Sequence, residues 1–301
     1  MAENTKAEQQ GVKKFDTFDE LPDVPPKRRL RLSWTGKVGV AIVAFWLVIA
    51  VIGPYITPYH EMDIEGDDSF LDAYGNFYLG TDYLGRDTFS RVFFGARNTI
   101  GISVLATVFA YFIGITLGIA AAVKGGWWDM IISRINDAVL SLPSIMLGLI
   151  VIAALGSSIP ILIGTAAVIY ASSVFRIARA LGQDIMVQDF VEAARARGEN
   201  VWWIIKSEVL PNAAMPLATD FGLRLVFVVL FISSLSFLGL GVQPPASDWG
   251  SMVRENLQGL AYGSYASIWP AIAIATFTIS INLIVDDISA KSGGSLAGKM
   301  V

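Results

Sequence analysis

Few residues in this chain combine ionisable chemistry with a spacing that would let them act together inside apolar segments. Arg134 and Asp137 are three residues apart, and Asp220 and Arg224 are four apart. At these spacings two side chains share one face of a helix, so each pair can neutralise its own charge. Ionisable residues in apolar segments are candidates for gating or substrate contact, with structural pairing as the alternative.

Other chemistries are excluded by composition. The 301 residues include no cysteine and a single histidine, His60. Thiolate nucleophiles, disulfides and cysteine metal sites are therefore excluded, and no second imidazole can share a metal ion. The segment from Gly293 to Lys299 matches the opening of a phosphate-binding loop, but Met300 stands where Ser or Thr is required and no strand precedes it. We expect no catalytic residue, metal site or cofactor site on this chain.

The composition sets the class of protein that must position these residues. Hydrophobic residues make up 54% of the chain and charged residues only 16%, which is too apolar for an ordinary soluble domain. The charges are clumped, and the charge-free stretches between them are long enough to cross about 30 Å of hydrocarbon as helices. The sequence predicts an all-α polytopic membrane protein with six transmembrane helices, at 38–56, 99–123, 130–155, 161–181, 217–240 and 268–285.

The distribution of charge predicts how the chain is oriented. Within the polar tail 1–37, five bases lie between Lys27 and Lys37 with no acid among them, whereas 57–97 holds eight acids and three bases. The positive-inside rule places this tail in the cytoplasm and the loop 57–97 on the periplasmic or extracellular side. After the five-helix core 98–288, the tail 289–301 returns to the cytoplasm. The net charge of −4, without a long basic run, argues against a nucleic-acid partner.

The segment 182–212 is the longest connection in the predicted core. It has 31 residues, and long ordered loops are usually functional. Ala193 and Ala194 favour a helix, and Gly198 can adopt the left-handed backbone that ends it. Pro211 is expected to end the segment that follows. The pattern predicts a helix, a sharp turn and a second helix outside the membrane.

This segment resembles the EAA loop of the type I permeases of ABC importers that work with a binding protein. The resemblance is carried by Glu192, Ala193, Ala194, Gly198, Leu210 and Pro211. It implies that these residues form a coupling loop that docks on an ATPase, rather than a catalytic site. Glu208 departs from the pattern, which has an apolar residue at this position.

Two other segments resemble the C-type permease of the dipeptide, oligopeptide and nickel branch. They are Leu79-Gly80-Thr81-Asp82 with Gly85-Arg86-Asp87, Ser90-Arg91 and Gly95-Ala96-Arg97, and the run Leu238 to Pro245 with Trp249-Gly250-Ser251-Met252. The branch has Gly-Asp-Gly near the end of the last span. Here Asp286 and Asp287 follow Val285, and we expect them to be a solvated helix end.

The resemblance implies a permease subunit of an ATP-binding cassette importer for di- or oligopeptides or similar solutes, multi-pass in the bacterial inner membrane. The implied partners are a homologous B-type permease, two ABC ATPase subunits or domains that carry ATP and Mg, a periplasmic or lipid-anchored solute-binding protein, and membrane lipid. Opines, glutathione-like compounds, oligosaccharides and nickel complexes stay open as substrates. The alternative is a secondary transporter or channel working alone, which should show unpaired acids in mid-helix and inverted repeats with broken helices.

Overall fold

The computed structural model describes residues 32–297, with the side chains of residues 32–290. Most of the predicted N-terminal tail and the last residues of the C-terminal tail lie outside this range. Apart from three isolated bridges, the described residues contain helices and no strand. The α-helices are α1 Trp34–Ile56, α2 Thr88–Lys124, α3 Gly126–Leu140, α4 Ser144–Leu155, α5 Ile159–Met186, α6 Asp189–Ala196, α7 Val201–Ile204, α8 Leu210–Phe237, α9 Trp249–Glu255 and α10 Ile268–Ala297.

Five helical segments are each long and apolar enough to cross a membrane, and α3 with α4 makes a sixth span if the bent pair is counted as one. The predicted all-α membrane fold is confirmed. The predicted continuous span 130–155 is wrong, because the chain bends by 88° between α3 and α4. Pro143 lies at the bend, and the ring of a proline disfavours the α conformation at the preceding residue, Leu142. With 12 residues, α4 alone is about 18 Å long, too short to cross the hydrocarbon core.

Helix α2 begins well before its predicted start at residue 99, so residues 88–97 are helical rather than part of a loop. The helix starts at Thr88, and the carboxylate of Asp87 caps it by accepting the Ser90 N–H at 2.9 Å. The charges of Arg91 and Arg97 hid this part of the helix from a hydropathy argument. Arg91 is nevertheless fully buried, because acidic side chains surround its guanidinium.

Helices α2 and α5 pack closely along their lengths through small residues. A Cβ atom added at Gly114 would lie 2.6 Å from the Val174 side chain, and one at Gly118 would lie 2.7 Å from the Phe175 carbonyl oxygen. Glycines four residues apart let two helix backbones approach in this way. Gly101, at the start of the predicted span, faces open space and takes no part in the contact.

Helix α7 leads into α8 without a break in helical structure. A π-helical turn, Ile205–Val209, joins them into one rod over Val201–Phe237. The prediction that Pro211 ends the second helix is therefore wrong. Pro211 lies in the first turn of α8, directly after the π turn, in which the Leu210 N–H bonds to the Ile205 carbonyl five residues back. The changed register of hydrogen bonds accommodates a residue that has no N–H to donate.

Helix α10 continues past the predicted helix end. Asp286 is exposed, but Asp287 is buried and accepts a hydrogen bond of 3.0 Å from the Ser33 N–H at the start of α1. The prediction of a solvated end is wrong for Asp287. Residues 293–297 are helical rather than a phosphate-binding loop, and the rest of that motif lies outside the described residues.

Candidate functional site

The segment 189–204, which we name the elbow, consists of α6, a tight turn and α7. Gly198 has a φ of 84°, its N–H donates to the Arg195 carbonyl at 2.9 Å, and the Glu199 N–H donates to the Ala194 carbonyl at 3.2 Å. These two bonds form the Schellman motif that ends α6. The Asn200 side chain then caps α7 by accepting the Trp203 N–H at 2.8 Å. The sharp turn predicted at Gly198 is present.

Burial divides the predicted coupling residues into two groups. Glu192, Ala193 and Gly198 are exposed on the elbow, and Leu210 and Pro211 are exposed at the start of α8. Ala194 is fully buried, so it cannot contact another subunit while the elbow is folded. Its role is structural. It packs in a hydrophobic cluster that joins the elbow to α2, α5 and α8 and includes Ile119, Val174, Ala178, Val191, Ile204, Val209 and Leu217.

Sequence reasoning missed a set of large apolar side chains that the elbow region exposes. Trp202 is 79% exposed, and Val187, Phe190 and Val201 are also exposed. Because these apolar residues lie outside every predicted span, the sequence alone could have indicated an exposed apolar surface here. Apolar side chains grouped on a surface between charged residues are typical of a protein-binding site. Glu208, the departure from the family pattern, lies in the π turn, where its carbonyl accepts the Asn212 side-chain amide at 2.7 Å.

The two predicted intramembrane pairs differ in the structure. Arg224 donates to both carboxylate oxygens of Asp220, with Nη2 to Oδ1 at 3.2 Å. A third residue, Tyr111 on α2, donates its hydroxyl hydrogen to Oδ2 of Asp220 at 2.5 Å. Tyr111 and Asp220 are 109 positions apart, and no local sequence pattern connects them.

The other predicted pair does not form. Among the described side chains, no ion pair joins Arg134 to Asp137, although both lie on α3. A different pair ties α3 to α5, in which Nη2 of Arg179 contacts Oδ2 of Asp129 at 2.5 Å. The acid that joins α3 to α5, Asp129, lies about two turns before Asp137.

Beyond the other end of α8, the family segment that begins at Leu79 is joined to α9 by a buried ion network. Arg91 is paired with Asp82 and with Glu255 on α9, the latter through both Nη atoms at 3.1 Å. Arg86 pairs with Asp82 at 2.8 Å and with Glu255 at 3.4 Å. The two arginines and two carboxylates neutralise each other. This network fixes the segment 57–87, which we name the lobe, to α2 and α9.

Trp249 anchors the other family segment, which contains Trp249-Gly250-Ser251-Met252. It is fully buried, its indole N–H donates to the Val92 carbonyl at 2.9 Å, and its backbone N–H donates to the Thr99 hydroxyl at 3.0 Å. Its ring meets the ring of Trp46 edge-on, with centroids 4.9 Å apart. Gly95 leaves room for it, since a Cβ atom there would lie 3.0 Å from the indole. The segment after α8 therefore packs on α1 and α2 instead of forming a simple loop.

The family model described as "Binding-protein-dependent transport system inner membrane component" matches residues 114–290. This range includes the elbow, the rod and most of α10, and covers more than half of the chain. The chain belongs to this family. It is therefore a permease subunit of an ABC importer, a class of transporter in which separate subunits hydrolyse ATP. Such a permease binds no cofactor itself, and it works with ATPase subunits and a solute-binding protein.

Curated relatives place this ABC importer permease in the dipeptide and oligopeptide branch. The chain is 33% identical over 264 residues to the glutathione transport system permease protein GsiD of Escherichia coli O6:K15:H31 (strain 536 / UPEC), with 86% of each protein covered. It is 30% identical over 272 residues to the dipeptide transport system permease protein DppC of Alkalihalophilus pseudofirmus (strain ATCC BAA-2126 / JCM 17055 / OF4), covering 89% of this chain and 90% of the relative.

A solved structure agrees with this permease at the level of the fold. The match to an inward-facing conformation of the MetNI methionine ABC transporter has a TM-score of 0.54 and 18% identity, and it covers 65% of this chain and 94% of the other. Among the described residues, five helices are long and apolar enough to cross a membrane, or six if the bent pair is counted as one span, and the chain is a multi-pass membrane protein.

Proposed function

We propose that this permease imports di- and oligopeptides or peptides of the size of glutathione, and that its elbow is the loop through which an ATPase drives transport. Peptides are the solutes named for both relatives described above. The observation that carries the proposal is the rod Val201–Phe237, which runs without interruption from the elbow into the membrane-spanning core. A force applied to the elbow therefore reaches the core through helix rather than through flexible loop.

Packing supports this coupling. The buried residues Val191 and Ala194 fix α6 to the cluster shared by α2, α5 and α8, so the elbow cannot move independently of these helices. The exposed residues Glu192, Ala193 and Gly198, with the neighbouring Trp202, are free to contact another protein. When two ATPases close on ATP and Mg, the elbows docked on them would move together. Rigid-body shifts of packed helices are a common way to convert such motion into alternating access.

The assembly follows from this role. A homologous B-type permease completes the translocation path, two ABC ATPase subunits or domains dock below the elbows, and a solute-binding protein delivers substrate at the lobe. The elbow precedes α8, and ion pairs join the lobe and the start of α2 to α9, which follows α8. The basic segment before α1 favours cytoplasmic termini, and hence a cytoplasmic elbow, in a bacterial inner membrane. The Asp220–Arg224 pair is our candidate for a gating element.

The alternative of an ion-coupled secondary transporter acting alone finds less support. One of its expected features, a broken span, is present in α3 and α4. Another expected feature, an unpaired acid in mid-helix, is not found at Asp220, which is bonded to both Tyr111 and Arg224. The broken span does not by itself indicate ion coupling.

Reconstitution tests the proposal. The permease is purified with its co-purifying subunits, placed in proteoliposomes and supplied with the cognate solute-binding protein. We expect uptake of dipeptides or glutathione only when ATP, Mg and the binding protein are all present. Uptake driven by an ion gradient without ATP, or purification of an active permease without any ATPase, would contradict the importer mechanism. Uptake of sugars or nickel complexes but not peptides would contradict only the substrate.

A further inference from the structure

A cavity of about 300 Å³ lies at the seam between the lobe and the turn before α10. Asp72 and Tyr78 contribute to its wall from the lobe, and Ser264, Tyr265 and Trp269 contribute from the turn and the first residues of α10. Pockets for whole small-molecule ligands measure roughly 300–1,000 Å³. This cavity is at the lower limit of that range, so it fits one long side chain better than a peptide.

The residues around the cavity have the chemistry of a cation receptor. Asp72 is exposed, and its carboxylate accepts no hydrogen bond and forms no ion pair among the described side chains. Three aromatic side chains, those of Tyr78, Tyr265 and Trp269, line the same space. Aromatic rings attract an ammonium or guanidinium group within about 6 Å of their centroids. A free carboxylate beside three rings therefore suits a Lys or Arg side chain.

The backbone next to the cavity is held in a strained conformation. Phe70 has a φ of 58°, which is unusual for a bulky residue. Its ring stacks on Tyr262 with centroids 6.0 Å apart, and a Cβ atom at Gly259 would lie 2.7 Å from it. These contacts fix Phe70 against the segment that precedes α10. Such strain persists where the surrounding structure enforces it, and it is concentrated at functional sites.

We propose that this cavity receives a Lys or Arg side chain of the solute-binding protein when that protein docks on the permease. The inference rests on the proposed function and specifies where and by what chemistry the binding protein is held. Charge complementarity selects this occupant. The lobe has no Lys or Arg between residues 57 and 85, and the nearby Arg86 and Arg91 are buried in ion pairs. Its exposed acids are Asp63, Glu65, Asp67, Asp68 and Asp72.

The test measures the affinity of the purified cognate solute-binding protein for the complete transporter in nanodiscs. Asp72→Asn should weaken binding about tenfold, since it leaves the cation of the partner without its carboxylate. The matched control is Asp67→Asn, which removes another exposed acid of the same lobe that does not line the cavity. Its effect should stay below about twofold, because exposed charges contribute little individually. Basal ATPase activity should be unchanged in both variants.

A charge exchange makes the test specific. Asp72→Lys should abolish docking, and a Lys→Glu or Arg→Glu substitution at one site of the binding protein should restore it. Equal losses of affinity in Asp72→Asn and Asp67→Asn would overturn the proposal, because they would show that the summed negative charge of the lobe, and not this cavity, attracts the solute-binding protein. Wild-type affinity for Asp72→Asn would also overturn the proposal. So would a thermal stability that depends on the lipid headgroup when no solute-binding protein is present, because that result would indicate a lipid site. If the wild-type transporter does not bind its solute-binding protein at all, the proposed function fails instead.

Discussion

The hydroxyl of Tyr111 on α2 donates a hydrogen bond of 2.5 Å to Oδ2 of Asp220 on α8, whereas Arg224, which completes the cluster, lies on α8 itself. The two contacts therefore respond differently to motion. A shift of α8 relative to α2 leaves the ion pair intact, because both of its members travel with α8. The same shift must break the contact to Tyr111. Tyr111 is thus the switchable part of the cluster, and the ion pair keeps the charge of α8 neutral in either arrangement.

Tyr111→Phe should favour the arrangement in which α2 and α8 have separated. The substitution removes only the hydroxyl, and a hydrogen bond to a charged group contributes about 1.5–3 kcal/mol. We expect a lower unfolding temperature in detergent and a higher ATPase rate without the solute-binding protein. Tyr55→Phe is the control, since Tyr55 is 80% exposed at the end of α1.

A double-mutant cycle with Asp220→Asn separates this role from simple packing. If Tyr111 acts through the carboxylate, the two substitutions should have much less than additive effects on the ATPase rate. Additive effects, or an ATPase rate in Tyr111→Phe equal to that of wild type, would mean that the hydroxyl only stabilises the fold.

Gly198→Trp should uncouple ATP hydrolysis from uptake without preventing membrane insertion. Gly198 has a positive φ, which costs an L-residue about 1–2 kcal/mol, and a Cβ atom there meets nothing within 4 Å in this chain. A loss of coupling beyond this backbone cost should therefore arise from a clash between the new side chain and the docked ATPase. Gly156→Trp is a close match, because Gly156 has a φ of 93° and equally open surroundings in the turn between α4 and α5. The measurement is the ratio of substrate imported to ATP hydrolysed.

The two glycine variants should share the backbone strain but differ in coupling. A normal ratio in Gly198→Trp would show that the elbow does not dock on an ATPase. An equal fall in both variants would indicate that strain, rather than a lost contact, is responsible.

Trp202→Ala should weaken ATPase binding while leaving the stability of the isolated permease unchanged. Trp202 is 79% exposed on the elbow, so truncation removes little packing within this chain. Buried tryptophans at interfaces often contribute 2 kcal/mol or more, which corresponds to about a thirtyfold loss of affinity. Trp34→Ala is the control, because Trp34 on α1 is also 79% exposed. Retention of ATPase subunits during purification is the measurement, and wild-type retention in Trp202→Ala would contradict the predicted contact.

The sequence was informative where the signal is local. Runs without charge predicted the spans, and Gly198 predicted the turn of the elbow because a positive φ is a property of one residue. The bend at Pro143 and the passage of the rod through Pro211 were missed, because the sequence does not reveal whether a neighbouring turn can absorb a proline. Long-range partners were missed as well. Nothing near Asp220 points to Tyr111, and the burial of Arg91 depends on Glu255, which lies 164 positions away.

Asp248→Asn should make the stability of the permease less dependent on pH. Burial raises the pKa of Asp248 above its ordinary value of 3.8, although the Ser251 and Gly250 N–H groups bond to the carboxylate and oppose the shift. The folded state therefore holds the proton more tightly than the unfolded chain. Its stabilising effect is complete below pH 3.8 and is lost as the pH rises toward the higher folded-state pKa. Asparagine keeps the oxygen that caps α9 at 2.9 Å from the Gly250 N–H and carries no charge.

The measurement is the unfolding temperature as a function of pH, from acid to neutral pH. This profile should be flatter for Asp248→Asn than for wild type, and it should be unchanged for the exposed control Asp67→Asn. A profile of Asp248→Asn that is as steep as that of wild type would mean that Asp248 has the same pKa in the folded and unfolded states, which contradicts the prediction.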